Sequence, residues 1–162
     1  MAEAFNERKL PMDKAERYRE VAAEIASVLD GEPNLTARMA TVASMLASSF
    51  DHYFWTGFYV VDGEKLVVGP YQGTLGCLRI ALGRGVCGTA AASGKTQLVE
   101  DVDAFPGHIA CDARSKSEVV VPVFDKAGRL IAVFDVDSDR PAAFDETDAR
   151  WLETILGDTF AR

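Results

Sequence analysis

The segment Phe54–Val68, FWTGFYVVDGEKLVV, decides the fold. Residues 54–61 are mostly aromatic or β-branched, a composition that suits a half-buried pleated strand. Asp62-Gly63 then supplies the two-residue turn that a hairpin needs, and Lys65–Val68 returns. The sheet starts as an antiparallel hairpin.

Upstream of it the periodicity changes. Tyr18, Val21, Ala22, Ile25, Val28 and Leu29 recur at helical spacing until Gly31 and Pro33 stop the pattern. Asn34 is placed to cap a second helix, with Leu35, Met39, Val42, Leu46 and Phe50 on one face. Residues 1–12 read as a loose arm closed by Pro11, and residues 13–162 as a single domain.

Downstream, Leu78–Leu82 reads as a third strand, Gly85–Ser93 as a short helix ended by Gly94, and Thr96–Val99 as a strand. Residues 100–117 read as a long loop, a length that inside a compact domain usually signals function or disorder. Val119–Phe124 and Leu130–Val136 form a second hairpin through Asp125–Gly128, with Pro122 pointing to an edge position or a bulge. Phe144–Ala161 closes the chain as a helix capped by Asp145, with Trp151, Leu152, Ile155, Leu156 and Phe160 on its apolar face. The expected class is α+β, with a mainly antiparallel sheet of about six strands and helices packed on it.

Composition narrows the function. With 162 residues and 48% hydrophobic content, one well-filled core is expected. The formal charge of −8, without a Lys/Arg run, argues against nucleic acid and against an anionic membrane surface. The longest apolar stretches are strand-length, and the charged beginning lacks a signal-peptide core, so the cytoplasm is the expected compartment. There thiols stay reduced, and cysteines mean metal, catalysis or burial more often than structural disulfides.

Cys77, Cys87 and Cys111 lie ten and twenty-four positions apart, without a Cys-x-x-Cys pair. Three readings remain open from spacing alone: small buried hydrophobes, a zinc site completed by His108, or redox chemistry, with zinc disfavoured because no spacing matches its usual ligand pairs. Cys87 falls in the first turn of a helix, a position that lowers a thiol pKa. Cys111 lies in the long loop, and Gly76 beside Cys77 would let another backbone approach. Asp135 and Asp137 alternate on one strand and so share a face, and Glu118 begins the neighbouring strand. Acids at strand ends more often simply face water. If these three converge, mutual repulsion would raise at least one pKa and keep a proton available. Trp55 and Tyr59 also share one strand face, where aromatics are more often plain core.

Three segments carry a resemblance: PYQGTLGCLRI (Pro70–Ile80), GRGVCGTAAASGKTQLVEDV (Gly83–Val102) and FPGHIACDARSKSEVVVPV (Phe105–Val123). With WTGFY (Trp55–Tyr59) and DVDS (Asp135–Ser138), the chain resembles the free methionine-R-sulfoxide reductases over about residues 15–160. The departures are Asp103, where members commonly carry His, and AVFDVDS in place of a more usual GVLDIDS, which puts Phe134 in a position to reshape a pocket wall.

The resemblance implies a GAF-like domain that converts free L-methionine-(R)-S-oxide to methionine. It makes Cys111 the attacking thiolate, Cys77 the thiol that resolves its sulfenic acid, and Cys87 a second partner or relay. It implies no bound cofactor and no metal, with thioredoxin as dithiol donor. Glu118, Asp135 and Asp137 become proton sources and, with Trp55 and Tyr59, substrate contacts. Ser115, Lys116 and Ser117 offer backbone donors for the substrate carboxylate. His108 is expected to order its loop, and Arg79 and Arg84 to be surface cations. The rival is a non-catalytic GAF module that senses a small molecule or thiol redox state. Whether the chain forms a homodimer is left open.

Overall fold

A computed structural model describes residues 13–109 and 111–162. The expected arm, residues 1–12, lies outside the described residues. The helices are α1 (Lys14–Val28), α2 (Leu35–Ala47), α3 (Gly85–Ser93) and α4 (Glu146–Phe160). The strands are β1 (Trp55–Asp62), β2 (Lys65–Gln72), β3 (Arg79–Ala81), β4 (Gln97–Val99), β5 (Ser117–Phe124) and β6 (Leu130–Ser138). They form one antiparallel sheet in the order β3-β2-β1-β6-β5-β4, the α+β architecture expected.

Strand alternation divides the core in two. Phe58, Val119, Val121, Val123, Ala132, Phe134 and Val136 face one side, where the apolar faces of α1, α2 and α4 cover them. Trp55, Tyr59, Val120 and Val133 face the other, with Leu66, Ile80 and Cys87 of α3. Phe134 is therefore not a pocket wall. It points away from Asp135 and packs its ring 4.9 Å from that of Phe58.

Local chemistry fixes the joints. Asn34 accepts the Ala37 N–H at 2.9 Å and starts α2. Asp145 caps α4 through Thr147 and Asp148, and Asp148 accepts the Asp145 N–H in return. The first hairpin turn sits one residue later than its sequence suggested. Asp62 pairs with Lys65, so the loop is Gly63-Glu64, with Gly63 at φ +62°. Only glycine occupies that conformation freely, and a type II′ turn wants it in the first loop position.

β2 runs on through Gly69 and Pro70, past the expected end at Val68, because β1 pairs with it as far as Gln72. On its outer edge β3 pairs only along Lys65–Val67, with a last bond from the Val68 N–H to the Leu78 carbonyl, so Pro70 lies where no strand needs an N–H. Pro122 obeys the same rule. β4 covers β5 only from Glu118 to Val120, and the register shifts between Val123 and Phe124, so Pro122 lies past the covering strand and next to a bulge. Among the described residues no helix is long and apolar enough to cross a membrane.

Candidate active site

The pocket-side face of β5 and β6 holds Glu118, Asp135 and Asp137, with Glu118 paired directly across from Asp137. Helix α3 packs over these strands and brings Cys87 down onto the acids. Its sulfur stands 3.9 Å from Glu118 Oε1. Trp55 and Tyr59 stack at 5.6 Å and form a second wall, and Tyr71, a residue the sequence reading passed over, extends the stack at 5.0 Å from Trp55. The segment after β4 closes the top with His108, Cys111 and Ser115. Together they enclose a cavity of about 50 Å³, room for a few waters.

Cys77 and Cys111 form a disulfide across 34 residues, with Cα atoms 5.5 Å apart. Cys87 is free and buried. Helix position does not lower its pKa. Burial pushes the thiol well above its ordinary value, and the charges of Asp135, Glu118 and Asp137 push it further. The first-turn location is real, but desolvation and three nearby carboxyls outweigh a partial helix charge.

The acids behave as one unit. Glu118 and Asp135 are about 5% and 4% exposed. Burial, then the charge on Asp135, raises both Glu118 and Asp137 well above the carboxylate range. Burial also raises Asp135, to about 6, while hydrogen bonds from Glu118, Cys87 and Asp137 hold it below its neighbours. Asp135 Oδ1 is buried without a partner among fixed donors. Its neighbours are carboxyls and a thiol, which donate only when protonated. The three carboxyls therefore share protons as one unit, in which Asp135 is the group held lowest and Glu118 and Asp137 favour their protonated forms.

Cys87, Glu118 and Asp135 place one donor atom each within 4.8 Å of one another. Such a set suits a cationic group, and the ammonium of an amino acid is one.

His108 and Arg84, given other places by the sequence, also border the cavity. His108 lines the cavity with Nε2 3.9 Å from Glu118 Oε2, and burial lowers its pKa, which keeps the ring neutral. Arg84 also lines the cavity but is itself exposed, and Arg79 pairs with Asp62 at the surface.

Two of the three backbone donors expected to hold the substrate carboxylate are already engaged. The Ser115 N–H is taken by the Asp112 carbonyl at 3.2 Å and the Lys116 N–H by the Ser138 carbonyl at 2.7 Å. Ser117 is buried, and its hydroxyl donates to the Arg140 carbonyl and accepts the Ala143 N–H. Gly76 makes room for side chains and not for backbone: a Cβ there would lie 2.9 Å from Trp55 Cζ2 and 3.1 Å from the Tyr59 hydroxyl.

The GAF domain family model matches residues 32–159. The free methionine-R-sulfoxide reductase of Escherichia coli (strain K12) is 39% identical over 145 residues, 90% of this chain and 87% of its own. The chain belongs to the free methionine-R-sulfoxide reductase family. A GAF domain-containing protein A of Dictyostelium discoideum is 49% identical, covering 88% of this chain and 90% of its own. The X-ray structure of the Neisseria meningitidis free methionine-R-sulfoxide reductase in complex with its substrate matches at TM-score 0.86 and 50% identity, over 90% of this chain and 87% of that one. Membership of this reductase family gives the disulfide and the acid cluster a chemical context that the GAF fold alone, shared by many functions, would not.

Proposed function

We propose that this chain reduces free L-methionine-(R)-S-oxide to methionine by thiol chemistry. The observation that carries the reading is the Cys77–Cys111 disulfide at the mouth of a cavity floored by three coupled carboxyls. In the reduced protein the Cys111 thiolate attacks the sulfoxide sulfur. The substrate oxygen takes one proton from the cluster and passes as hydroxyl to the Cys111 sulfur; the substrate's sulfur–oxygen bond and the transient sulfur–sulfur bond break, leaving Cys111 as a sulfenic acid while methionine departs. Glu118 and Asp137 are the proton sources, because burial raises both well above their ordinary values and favours the protonated form.

The negative charge retained by the cluster favours a free ammonium over the uncharged amide of a peptide-bound residue. The Trp55–Tyr59 stack offers an apolar surface for the substrate methyl. The Cys77 thiol then condenses with the sulfenic acid, expelling water and forming the disulfide. A dithiol such as thioredoxin restores both thiols by exchange, a cycle that suits a reducing cytoplasm. Cys87, buried and protonated, fits a reserve partner better than a nucleophile.

Incubation with racemic free methionine sulfoxide and a thioredoxin system tests this. The R epimer alone should disappear, and Cys111→Ser should abolish the loss. Turnover by Cys111→Ser would overturn the nucleophile assignment, and equal consumption of a peptide-bound sulfoxide would overturn ammonium recognition. A sensor without turnover would bind the compound and leave it unchanged.

A further inference from the structure

The two loops that carry the disulfide are also joined by a second, non-covalent tie. Thr74, three residues before Cys77, donates its hydroxyl to Asp112 Oδ2 at 2.7 Å. Asp112 directly follows Cys111. The Arg114 guanidinium donates to both oxygens of the same carboxylate, at 2.8 Å and 3.1 Å, and the Arg114 backbone N–H adds a third bond at 2.9 Å.

Each end is anchored to the sheet. The Thr74 carbonyl accepts the Trp55 indole N–H at 2.9 Å, and the Arg114 guanidinium lies 5.0 Å from the centre of the Phe54 ring. Hydrogen bonds to Arg114, then to Thr74, hold the Asp112 carboxyl far below the usual range, so the tie is charged across the working pH range. None of these bonds depends on sulfur, so they can persist when the disulfide is reduced.

We propose that Thr74 and Arg114, acting through Asp112, are positioning residues for the resolving step, holding Cys77 within reach of the Cys111 sulfenic acid. This rests on the cysteine roles proposed above. In that step the S–O bond of Cys111 breaks, an S–S bond to Cys77 forms, and the oxygen leaves as water with the thiol proton. No outside oxidant is consumed. Two thiols on separately mobile loops would meet at a lower effective concentration, and a tie a few residues from each raises it. The attack on the sulfoxide needs only Cys111 and the acid cluster, so the tie separates the two half-reactions.

The test uses the full chain and Thr74→Val, Arg114→Met and the double variant. These sites are on the surface, so the fold should be retained. The first methionine released from pre-reduced protein should stay within about twofold of the parent, because Cys111, Asp112 and the acid cluster are themselves unaltered. The lifetime of the Cys111 sulfenic acid, read by dimedone trapping, should lengthen about tenfold in the double variant. The disulfide equilibrium against glutathione should weaken by about tenfold, or about 30 mV. Thr74→Ser, which restores the hydroxyl, should behave as the parent.

An unchanged sulfenic lifetime and an unchanged equilibrium in the double variant would overturn the proposal. So would a first turnover that falls in step with resolution, which a general loosening of the site would produce. Forming the sulfenic acid with one equivalent of hydrogen peroxide repeats the measurement without the sulfoxide. Slow resolution there, in a protein that fails to reduce methionine sulfoxide, would sink the substrate reading and leave the latch standing.

Discussion

Glu118 on β5 and Asp137 on β6 are direct cross-strand partners, and both carboxyls are held in their protonated forms. Like charges at such positions repel at close range, and here burial removes the water that would screen them. Their folded pKa values lie above the unfolded ones. The folded chain therefore keeps protons that the unfolded chain has already lost, and stability falls as pH rises from the ordinary carboxylate range toward the raised folded values.

Glu118→Gln and Asp137→Asn should each stabilise the protein at about pH 8, by about 1 kcal/mol or roughly 3 °C in melting temperature. Near pH 3 the gain should largely disappear, because the unfolded carboxyls are then also mostly protonated. Activity should fall about a hundredfold in either variant, since a proton donor is gone. Thermal melts at the two pH values, beside turnover of free methionine sulfoxide, check both halves. A variant that is neither more stable in alkali nor less active would show that these carboxyls neither hold raised protons nor supply them to the reaction.

Asp148 has the opposite sign. It is fully buried at the start of α4 and accepts from Tyr18 at 2.6 Å, Lys14 at 2.8 Å and His52 at 2.9 Å, joining α1 and the segment before β1 to α4. Burial alone would raise its pKa, but bonds from His52, Lys14, Tyr18 and the Asp145 backbone outweigh that and hold it well below the carboxylate range. Its contribution is present above the unfolded carboxylate pKa and lost as pH falls through the folded one. Asp148→Asn should cost about 3 kcal/mol at neutral pH, or about 8 °C, shrinking in acid. Melts of both proteins across that range decide it.

These two clusters mark where the sequence could be read and where it could not. The acids on β5 and β6 were legible because strand alternation is strict: once residues 130–138 are a strand, Asp135 and Asp137 must share a face, whatever they touch. The turn at Gly63-Glu64 slipped by one residue because either dipeptide fits a two-residue loop, and pairing decides between them. Cys87 was placed correctly on its helix but its chemistry was misread, since the carboxyls that set its pKa come from strands thirty or more residues away. The Asp148 cluster was invisible for the same reason: Lys14 and Tyr18 meet it across 134 and 130 residues. Periodicity reports which way a side chain faces, not what waits there.

The environment of Cys87 predicts an order of thiol reactivity. A thiol that is buried and held protonated by adjacent carboxyls reacts slowly with alkylating agents, because the thiolate is the reactive form. In the reduced protein at neutral pH, iodoacetamide should modify Cys111 and Cys77 before Cys87. Peptide mapping by mass spectrometry over time reads the order. Cys87→Ser should lower turnover less than about tenfold, against a loss of about a thousandfold or more for Cys111→Ser. Fast labelling of Cys87 would reverse the roles of the two thiols.

Gly76 gives a test of the aromatic wall that leaves every reacting group in place. A methyl there would press on the Trp55 ring and the Tyr59 hydroxyl. Trp55 has little room to retreat, being stacked between Tyr59 and Tyr71 and bonded through its indole nitrogen to Thr74. The backbone at Gly76 needs no left-handed conformation, so Gly76→Ala acts through the space it takes and not through strain. If the substrate methyl lies on this wall, KM for free methionine-(R)-sulfoxide should rise about tenfold, with kcat changed about twofold or less. The melting temperature should move by no more than about 4 °C, since the site borders the cavity and not the main core. A KM that stays at the parent value, with the substitution confirmed and the fold intact, would place the methyl elsewhere in the cavity.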